Sequence, residues 1–215
     1  MKDLYIYHHL GLGDHIVCNG IVNHYAELYD RIFLFVKPQY LKNISQLYRG
    51  NSKIRLIPFD DHDAKHFISF NKNNKYLIIG HRPMKDNEMF DEVFYNMAGQ
   101  PLSDKWDKFS YKRDLEKEKH VFYNVLRLKD NEEFVFIQDK PQFPIKLSGI
   151  KSIKSSMDID FFDYLYTLEK AKEIHCLNSS FNVLIDCIQL RNDGLFLYNT
   201  SVLTNLKLNW KIIEL

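Results

Sequence analysis

The chain has 215 residues, of which 45% are hydrophobic and 14% aromatic, enough for the core of one domain or of two small ones. Its 29 basic and 28 acidic residues leave a net charge of +1, without the basic stripe that is typical of nucleic-acid binding. No apolar run reaches the roughly 18 residues of a membrane span, and the N-terminus shows no signal peptide. The three cysteines lack metal-ligand spacing, so we expect reduced, buried thiols in a cytoplasmic protein.

The first half of the chain alternates between strands and helices. An apolar strand at residues 4–7 leads through two glycines into a helix, in which apolar residues recur at helical spacing from Ile16. Further strands are predicted at 31–36, 53–58 and 75–80, and a helix is predicted at 38–48. The consecutive apolar positions of these strands indicate burial on both faces, as in a parallel sheet covered by helices.

The second half repeats this alternation after a different middle segment. Residues 86–128 mix aromatic and charged side chains without an evident strand, and we interpret them as largely helical. The later strands are predicted at 134–137, 149–153, 173–177 and 195–198, and helical spacing appears within 161–172 and 181–188. Asn178, Ser179 and Ser180 are typical N-cap residues for the last of these helices.

The order of elements predicts an α/β fold of two small Rossmann-like domains that face a cleft. We expect an N-terminal domain at residues 1–105, a helical linker at 106–130 and an abbreviated C-terminal domain at 131–215. Both halves share one plan, in which a strand leads into a polar turn at the N-terminus of a helix.

The turn at residues 10–15, Leu-Gly-Leu-Gly-Asp-His, is the most informative motif. A strand, a glycine turn and a helix in this order bring backbone N–H groups and a helix dipole to one point. The motif is not a dinucleotide fingerprint, because Ile16 stands where a third glycine is needed and no acidic residue ends the next strand. Nor does any segment match a P-loop. Asp14 and His15 lie at the mouth of the turn, where a general base is useful.

Three segments resemble glycosyltransferases of the GT-B class, which contain two Rossmann domains. The turn at 11–15 resembles the N-terminal glycine loop of heptosyltransferases, which have Gly-Asp there, and of fucosyltransferases. The segment 163–186, with Asn-Ser-Ser-Phe at 178–181, is similar to an element of the alpha-1,2-fucosyltransferases and their relatives. The strand at 134–137, followed by Gln-Asp-Lys, resembles the strand and Ser-Asp-Asp element of the same family.

This resemblance implies transfer of a sugar from a nucleotide-sugar donor to a hydroxyl of a glycan or glycoconjugate, with no metal and no further cofactor. The heptosyltransferases place a catalytic Asp at the position of Asp14, and the Asn-Ser-Ser-Phe element lines the sugar-nucleotide site of the fucosyltransferase family. The predicted substrate-binding residues come from this resemblance, from side chains able to bind phosphate, and from polar residues that directly follow a strand. They are Gly11, Gly13, His81, Arg82, Arg113, Gln138, Asp139, Lys140, Asn178, Ser179, Ser180 and Phe181.

Several of these residues also have a structural interpretation. Asp14 is either the general base for the acceptor hydroxyl or a helix cap, and the two roles are compatible. His15 is an alternative base, a phosphate ligand when protonated, or a supporting residue. Ser179 and Ser180 either offer backbone N–H groups to a phosphate or cap their helix. The two arginines are candidate phosphate clamps, although most arginines are simply surface residues.

Two other functions remain open. A non-catalytic glycan- or nucleotide-binding module is favoured by the absence of the His-x-Arg-x-x-Asp motif of fucosyltransferases, since only His-Arg-Pro occurs, at 81–83. A metal-dependent transferase of the GT-A class is favoured by Asp158 and Asp160, although acids before a helix are commonly caps. The acids at 60–63 with His66 form another candidate metal cluster, for which a solvated loop entering a helix is the commoner structure. A Rossmann oxidoreductase or methyltransferase fits less well.

Overall fold

The computed structural model of the chain describes residues 2–82, 85, 88–199 and 204–214. The chain divides after Lys112 into two compact units, and Thr204 and Asn205 belong to the first. This division falls inside the segment predicted as a linker, residues 106–130. Each unit is built around one parallel sheet, so the predicted α/β class with two Rossmann-like units is confirmed.

The first unit contains a four-stranded parallel sheet. Its strands are β1 (Asp3–Tyr7), β2 (Arg31–Val36), β3 (Ile54–Pro58) and β4 (Tyr76–Ile78). They lie in the order β3-β2-β1-β4, and every neighbouring pair is parallel. The helices of this unit are α1 (Leu12–Val17), α2 (Asn19–Leu28), α3 (Leu41–Leu47), α4 (Asp61–Phe70), α5 (Phe90–Met97) and α6 (Asp104–Asp107), and a 3₁₀ turn at Pro38–Tyr40 precedes α3.

The core of this unit forms where the central strands meet the helices. Ile6 of β1 and Leu34 of β2 are fully buried, as their continuous apolar sequences predict. Helix α2 approaches the backbone of α6 at Gly20, where a Cβ atom would lie 2.0 Å from the carbonyl oxygen of Asp104. Glycine is therefore required at this helix crossing.

The second unit contains a five-stranded parallel sheet. Its strands are β5 (Phe134–Gln138), β6 (Lys151–Lys154), β7 (Glu173–Leu177), β8 (Leu195–Asn199) and β9 (Lys211–Glu214). They lie in the order β6-β5-β7-β8-β9. Helices α7 (Leu115–His120), α8 (Leu165–Lys170) and α9 (Ser180–Cys187) belong to this unit, together with a π-helical turn at Val121–Val125 and a 3₁₀ turn at Phe161–Tyr164.

Most predicted strands agree with the observed ones to within a residue or two. The strand predicted at 195–198 is confirmed as β8, but the sequence patterns predict no strand after it, and β9 follows and pairs with β8. The predicted helix at 38–48 is divided into the 3₁₀ turn and α3. Pro83 of the His-Arg-Pro motif lies outside the described residues.

Two expectations from composition concern the cysteines and the membrane. Cys18, Cys176 and Cys187 are buried and form no disulfide among themselves. Across the described parts of the chain, none of the helices is both long enough and apolar enough to span a membrane.

Candidate functional site

The strand order of the first sheet creates a topological switch point between β1 and β4. The chain runs outward from β1 to β2 and β3, then returns to place β4 on the other side of β1. Open α/β sheets bind ligands at the carboxyl ends of the strands beside such a point. Here the segment from His8 to the glycine turn follows β1, and Gly80 and His81 follow β4.

Asp14 is half-buried in the first turn of α1 at this edge. Its Oδ2 atom accepts a hydrogen bond of 3.1 Å from the backbone N–H of Gly11. Burial raises the pKa of the Asp14 carboxyl above its ordinary value, against the opposing effects of His9, the Gly11 N–H and Lys37. No hydrogen bond to Oδ1 is found within the described residues. Asp14 therefore closes the helix start through one oxygen and leaves the other to accept a proton.

Gly11 and Gly13 shape this turn in different ways. A Cβ atom at Gly11 would lie 2.7 Å from Asp14 Oδ2, so a larger residue would displace the carboxylate. Gly13 lies within α1, one residue before Asp14. Of the two glycines, Gly11 is therefore the one that contacts the Asp14 carboxylate and helps to position it.

His15 is fully buried and forms an edge-to-face contact with the equally buried His8, with ring centroids 4.4 Å apart. Burial lowers the pKa of His8 to about 4 and that of His15 well below its ordinary value. Both imidazoles are therefore neutral near pH 7. A neutral ring lacks the charge that attracts phosphate, which argues against His15 as a phosphate ligand. Full burial and a lowered pKa also make His15 a poorer candidate base than the half-buried Asp14, whose pKa is raised.

This histidine pair predicts acid sensitivity. Because the folded-state pKa is below the unfolded value of 6.5, the unfolded chain binds more protons and stability falls as the pH drops from 6.5 towards 4. The slope is up to about 1.4 kcal/mol per pH unit for each histidine. Urea unfolding at several pH values should show a shallower slope for His15→Phe, which also removes two unpartnered buried nitrogens.

The same substitution at His62 serves as the control, because that side chain is 77% exposed. The His62→Phe protein should keep the slope of the wild type. Equal slopes for all three proteins would show that the buried pair does not govern the acid response.

Further polar side chains gather after the ends of all four strands of this sheet. The Tyr7 hydroxyl donates to Asp61 Oδ1 at 3.1 Å, and Lys37 Nζ lies 2.9 Å from Asp61 Oδ2. His81 stacks on Tyr7 with ring centroids 4.2 Å apart, and His9 packs edge-on against His81 at 5.1 Å. The sequence analysis does not nominate Tyr7 or Lys37, and it names Asp61 only as part of a candidate metal cluster, although each lies at or soon after the carboxyl end of a strand.

Arg82, one of the predicted phosphate clamps, is engaged elsewhere. Its two terminal nitrogens each donate to a different carboxylate oxygen of Glu88 at 2.9 Å. In this bidentate pair, Glu88 neutralises the positive charge of Arg82 that would otherwise attract a phosphate. A clamp at this place requires Glu88 to move away.

The second sheet has its own switch point, between β5 and β7. The Ser179 hydroxyl donates to Gln138 Oε1 at 2.8 Å and so joins the two strand ends. Ser179 is also the N-cap of α9, since its Oγ accepts from Phe181 N and its own N–H donates to Asn182 Oδ1 at 2.7 Å. The predicted N-cap is confirmed, and the first backbone N–H groups of α9 lie where a ligand of this sheet is expected.

The neighbouring predicted residues have mainly structural contacts. Asp139 Oδ2 accepts from the backbone N–H of Ile145 at 3.1 Å and from Lys154 Nζ at 2.6 Å. Lys140 is exposed and pairs through its backbone with Phe143.

Two further predicted residues flank the cap. Phe181 is 9% exposed and packs against Phe161, with ring centroids 4.5 Å apart, so it anchors α9 to the core. Asn178 is half-buried between the end of β7 and the cap.

The hydrogen-bond partners of Arg113 are not residues of the second switch point. It lies just before α7 and is held by hydrogen bonds to both Glu118 and Glu169. Glu118 is fully buried, so this arginine compensates a buried carboxylate. The second predicted phosphate clamp, Arg113, is therefore paired with carboxylates of the protein itself.

Most of the candidate metal residues are exposed or lie at helix starts, and Asp61 is engaged by Tyr7 and Lys37. In the described residues, the group of acids and histidines close enough to share a metal is Asp60, His62 and Asp63, all exposed, and Asp60 caps α4. Asp158 accepts a hydrogen bond from the Ser156 hydroxyl, and Asp160 is the N-cap of a 3₁₀ turn.

Among the solved structures that the chain resembles are two glycosyltransferases. The chain resembles the glycosyl transferase family 9 protein from Veillonella parvula DSM 2008 with a TM-score of 0.65 and 10% sequence identity, over 100% of this chain and 86% of that one. It also resembles E. coli ADP-heptose lps heptosyltransferase II with a TM-score of 0.56 and 10% identity, over 99% of this chain and 90% of that one. No protein-family model and no curated protein matches the sequence. The chain has the fold of these glycosyltransferases.

Proposed function

We propose that the chain is a glycosyltransferase that moves a sugar from a nucleotide-sugar donor to a hydroxyl of a glycan or glycoconjugate, without a metal or a further cofactor. The observation that carries this proposal is Asp14. Its carboxylate lies at the switch point of the first sheet, has a raised pKa and keeps one oxygen without a hydrogen bond among the described residues. The likeness in fold to two glycosyltransferases supports it.

In the proposed reaction, Asp14 accepts the proton of the acceptor hydroxyl. The hydroxyl oxygen forms a bond to the anomeric carbon of the donor, and the bond from that carbon to the diphosphate breaks. The electron pair leaves with the diphosphate. A carboxylate whose pKa is raised above its ordinary value is a stronger base than an ordinary one, which favours the first proton transfer.

The second unit is proposed to receive the donor. The N-terminus of α9 and its cap, Ser179, lie at the switch point of the second sheet, where N–H groups and the helix dipole stabilise negative charge. This arrangement supplies stabilisation of the leaving diphosphate without a metal.

A non-catalytic binding module is the second candidate, and it too has a supporting observation. Arg82 is paired with Glu88, and Arg113 with Glu118 and Glu169. Both nominated clamps are therefore neutralised by carboxylates. A protein of this kind would bind the nucleotide sugar but would not turn it over, so binding and transfer must be measured separately.

A thermal-shift screen against UDP, GDP, ADP, CMP and dTDP sugars tests the donor site. Because stabilisation grows with the logarithm of ligand concentration over the dissociation constant, one sugar nucleotide at millimolar concentration should raise Tm measurably. The shift and the transfer activity should persist in EDTA. Activity abolished by EDTA and restored by manganese would favour the metal-dependent alternative.

Ser179→Ala should reduce the ligand-induced shift, because it removes the hydroxyl that joins α9 to Gln138. The matched control is Ser152→Ala on the exposed part of β6. An unchanged shift in Ser179→Ala would place the donor elsewhere.

A further inference from the structure

A pocket of about 550 Å³ lies in the second unit, beside helix α7 and the 3₁₀ turn at Phe161–Tyr164. None of the residues that line it belongs to the switch-point corner. The residues lining the pocket are Glu116, Lys117, His120, Val121, Asp160 and Asp163.

Asp163 is the unusual member of this group. The residue is only 8% exposed, yet its carboxylate makes no hydrogen bond or ion pair with any of the described residues. Its oxygens are not fully enclosed, and the residue lines the pocket, so the carboxylate opens into it. A carboxylate in a largely buried residue is costly when no partner compensates its charge. Burial, followed by the nearby Asp160, raises the pKa of Asp163, against the opposing effect of Lys117.

The surrounding charges compensate this carboxylate only in part, since Lys117 lowers its pKa while Asp160 raises it. Glu116 and Asp160 add negative charge to the lining, against the one ammonium of Lys117. Lys117 Nζ lies 3.7 Å from Asp114 Oδ2, so its charge is shared with another carboxylate. Arg113 is already held by Glu118 and Glu169. The pocket therefore has an excess of negative charge.

The spacing of the acids favours an organic cation over a metal ion. A calcium or magnesium site gathers several oxygens at about 2.0 to 2.6 Å from one centre. The acids and the histidine of this pocket are not among the described groups with ligand atoms close enough to share a metal. The volume suits a small molecule, and Val121 supplies an apolar wall for its carbon skeleton.

We propose that this pocket binds a small organic cation with a primary ammonium, which donates hydrogen bonds to the Asp163 carboxylate. Two sources share this chemistry, an amino sugar and a linear diamine. The site goes beyond the proposed glycosyl transfer and does not depend on it.

Titration calorimetry on the full chain tests the site with glucosamine and 1,4-diaminobutane as probes. Glucose is the matched neutral ligand for glucosamine, since it replaces the ammonium with a hydroxyl. We expect at least one amine to bind with a dissociation constant of about 10 mM or better, and glucose to bind at least about tenfold more weakly. Binding of glucosamine alone identifies the amino sugar as the source, and binding of both amines identifies the ammonium as sufficient.

Asp163→Asn removes the charge with little change of shape, and it should weaken binding of the amine by about tenfold or more. The matched control is Asp193→Asn, an exposed aspartate outside the pocket, which should bind as the wild type does. The proposal is overturned if neither amine binds, if glucose binds equally well, or if Asp163→Asn binds the amine with unchanged affinity.

Discussion

Replacement of Asp14 by Asn should leave the fold intact and lower the rate of sugar transfer by about 100-fold or more, the effect expected when a general base is lost. The fold should survive because the Asn side-chain oxygen is still able to accept the hydrogen bond from Gly11 N that closes the start of α1. The measurement is kcat/KM with the donor found by thermal shift, beside the unfolding free energy of each variant.

A pH profile separates this role from a purely structural one. In the wild type, kcat/KM should fall on the acidic side with a pKa above the ordinary Asp value of 3.8, since burial raises the pKa of Asp14. That acidic limb should be absent from the Asp14→Asn variant. Asp30→Asn, at the exposed amino end of β2, is the control and should retain full activity. Unchanged turnover in Asp14→Asn would remove Asp14 from the mechanism.

The strands were the most predictable part of the fold. β2 and β7 have the bounds that the sequence predicts, because a strand buried on both faces has a continuous apolar sequence between polar ends. β9 was missed for the opposite reason. Its residues, Lys-Ile-Ile-Glu, are all exposed at the edge of the sheet. Because none of them is buried, the sequence shows neither a continuous nor an alternating apolar pattern for this strand. Only pairing with β8 specifies this strand, and pairing is not a local property.

The candidate site was predictable in position more than in chemistry. A polar turn after a strand locates Asp14 and Ser179 at the carboxyl ends of parallel strands, which the structure confirms. The partner of Asp14, Gly11, is local, but some partners of the other predicted residues are distant in sequence. Gln138 is 41 positions from Ser179, and Glu169 is 56 positions from Arg113. The other carboxylates that hold the predicted phosphate clamps are close in sequence, Glu88 to Arg82 and Glu118 to Arg113, but their spacing alone does not indicate that they pair.

The burial of His15 illustrates the same limit. The sequence places it beside Asp14 at the mouth of the turn, where either ring or carboxylate is a plausible base. In the structure, one helical position separates a half-buried carboxylate from a fully buried ring. Helical geometry turns adjacent residues to different faces, so which of them faces the core depends on the neighbouring strands.

The largest predicted loss of stability concerns Asp91 and Lys105. Lys105 Nζ lies 2.8 Å from Asp91 Oδ2, and their side chains are 1% and 0% exposed. Asp91 also accepts hydrogen bonds from the backbone and side-chain nitrogens of Asn205 at 2.9 and 3.1 Å. Asp91→Ala should lower the free energy of unfolding by about 3–5 kcal/mol, because it leaves the Lys105 ammonium buried without its counter-charge. Urea unfolding measures the difference.

The double variant Asp91→Leu/Lys105→Met tests whether the uncompensated charge causes that loss. Removing both charges also removes the need to bury an ammonium, so the double variant should be more stable than Asp91→Ala. The hydrogen bond of 2.6 Å from Lys105 Nζ to the Asn205 carbonyl is lost as well, so stability should not return fully to that of the wild type. If the double variant is no more stable than Asp91→Ala, the loss comes from the Asn205 contacts, and the ion pair is not its cause.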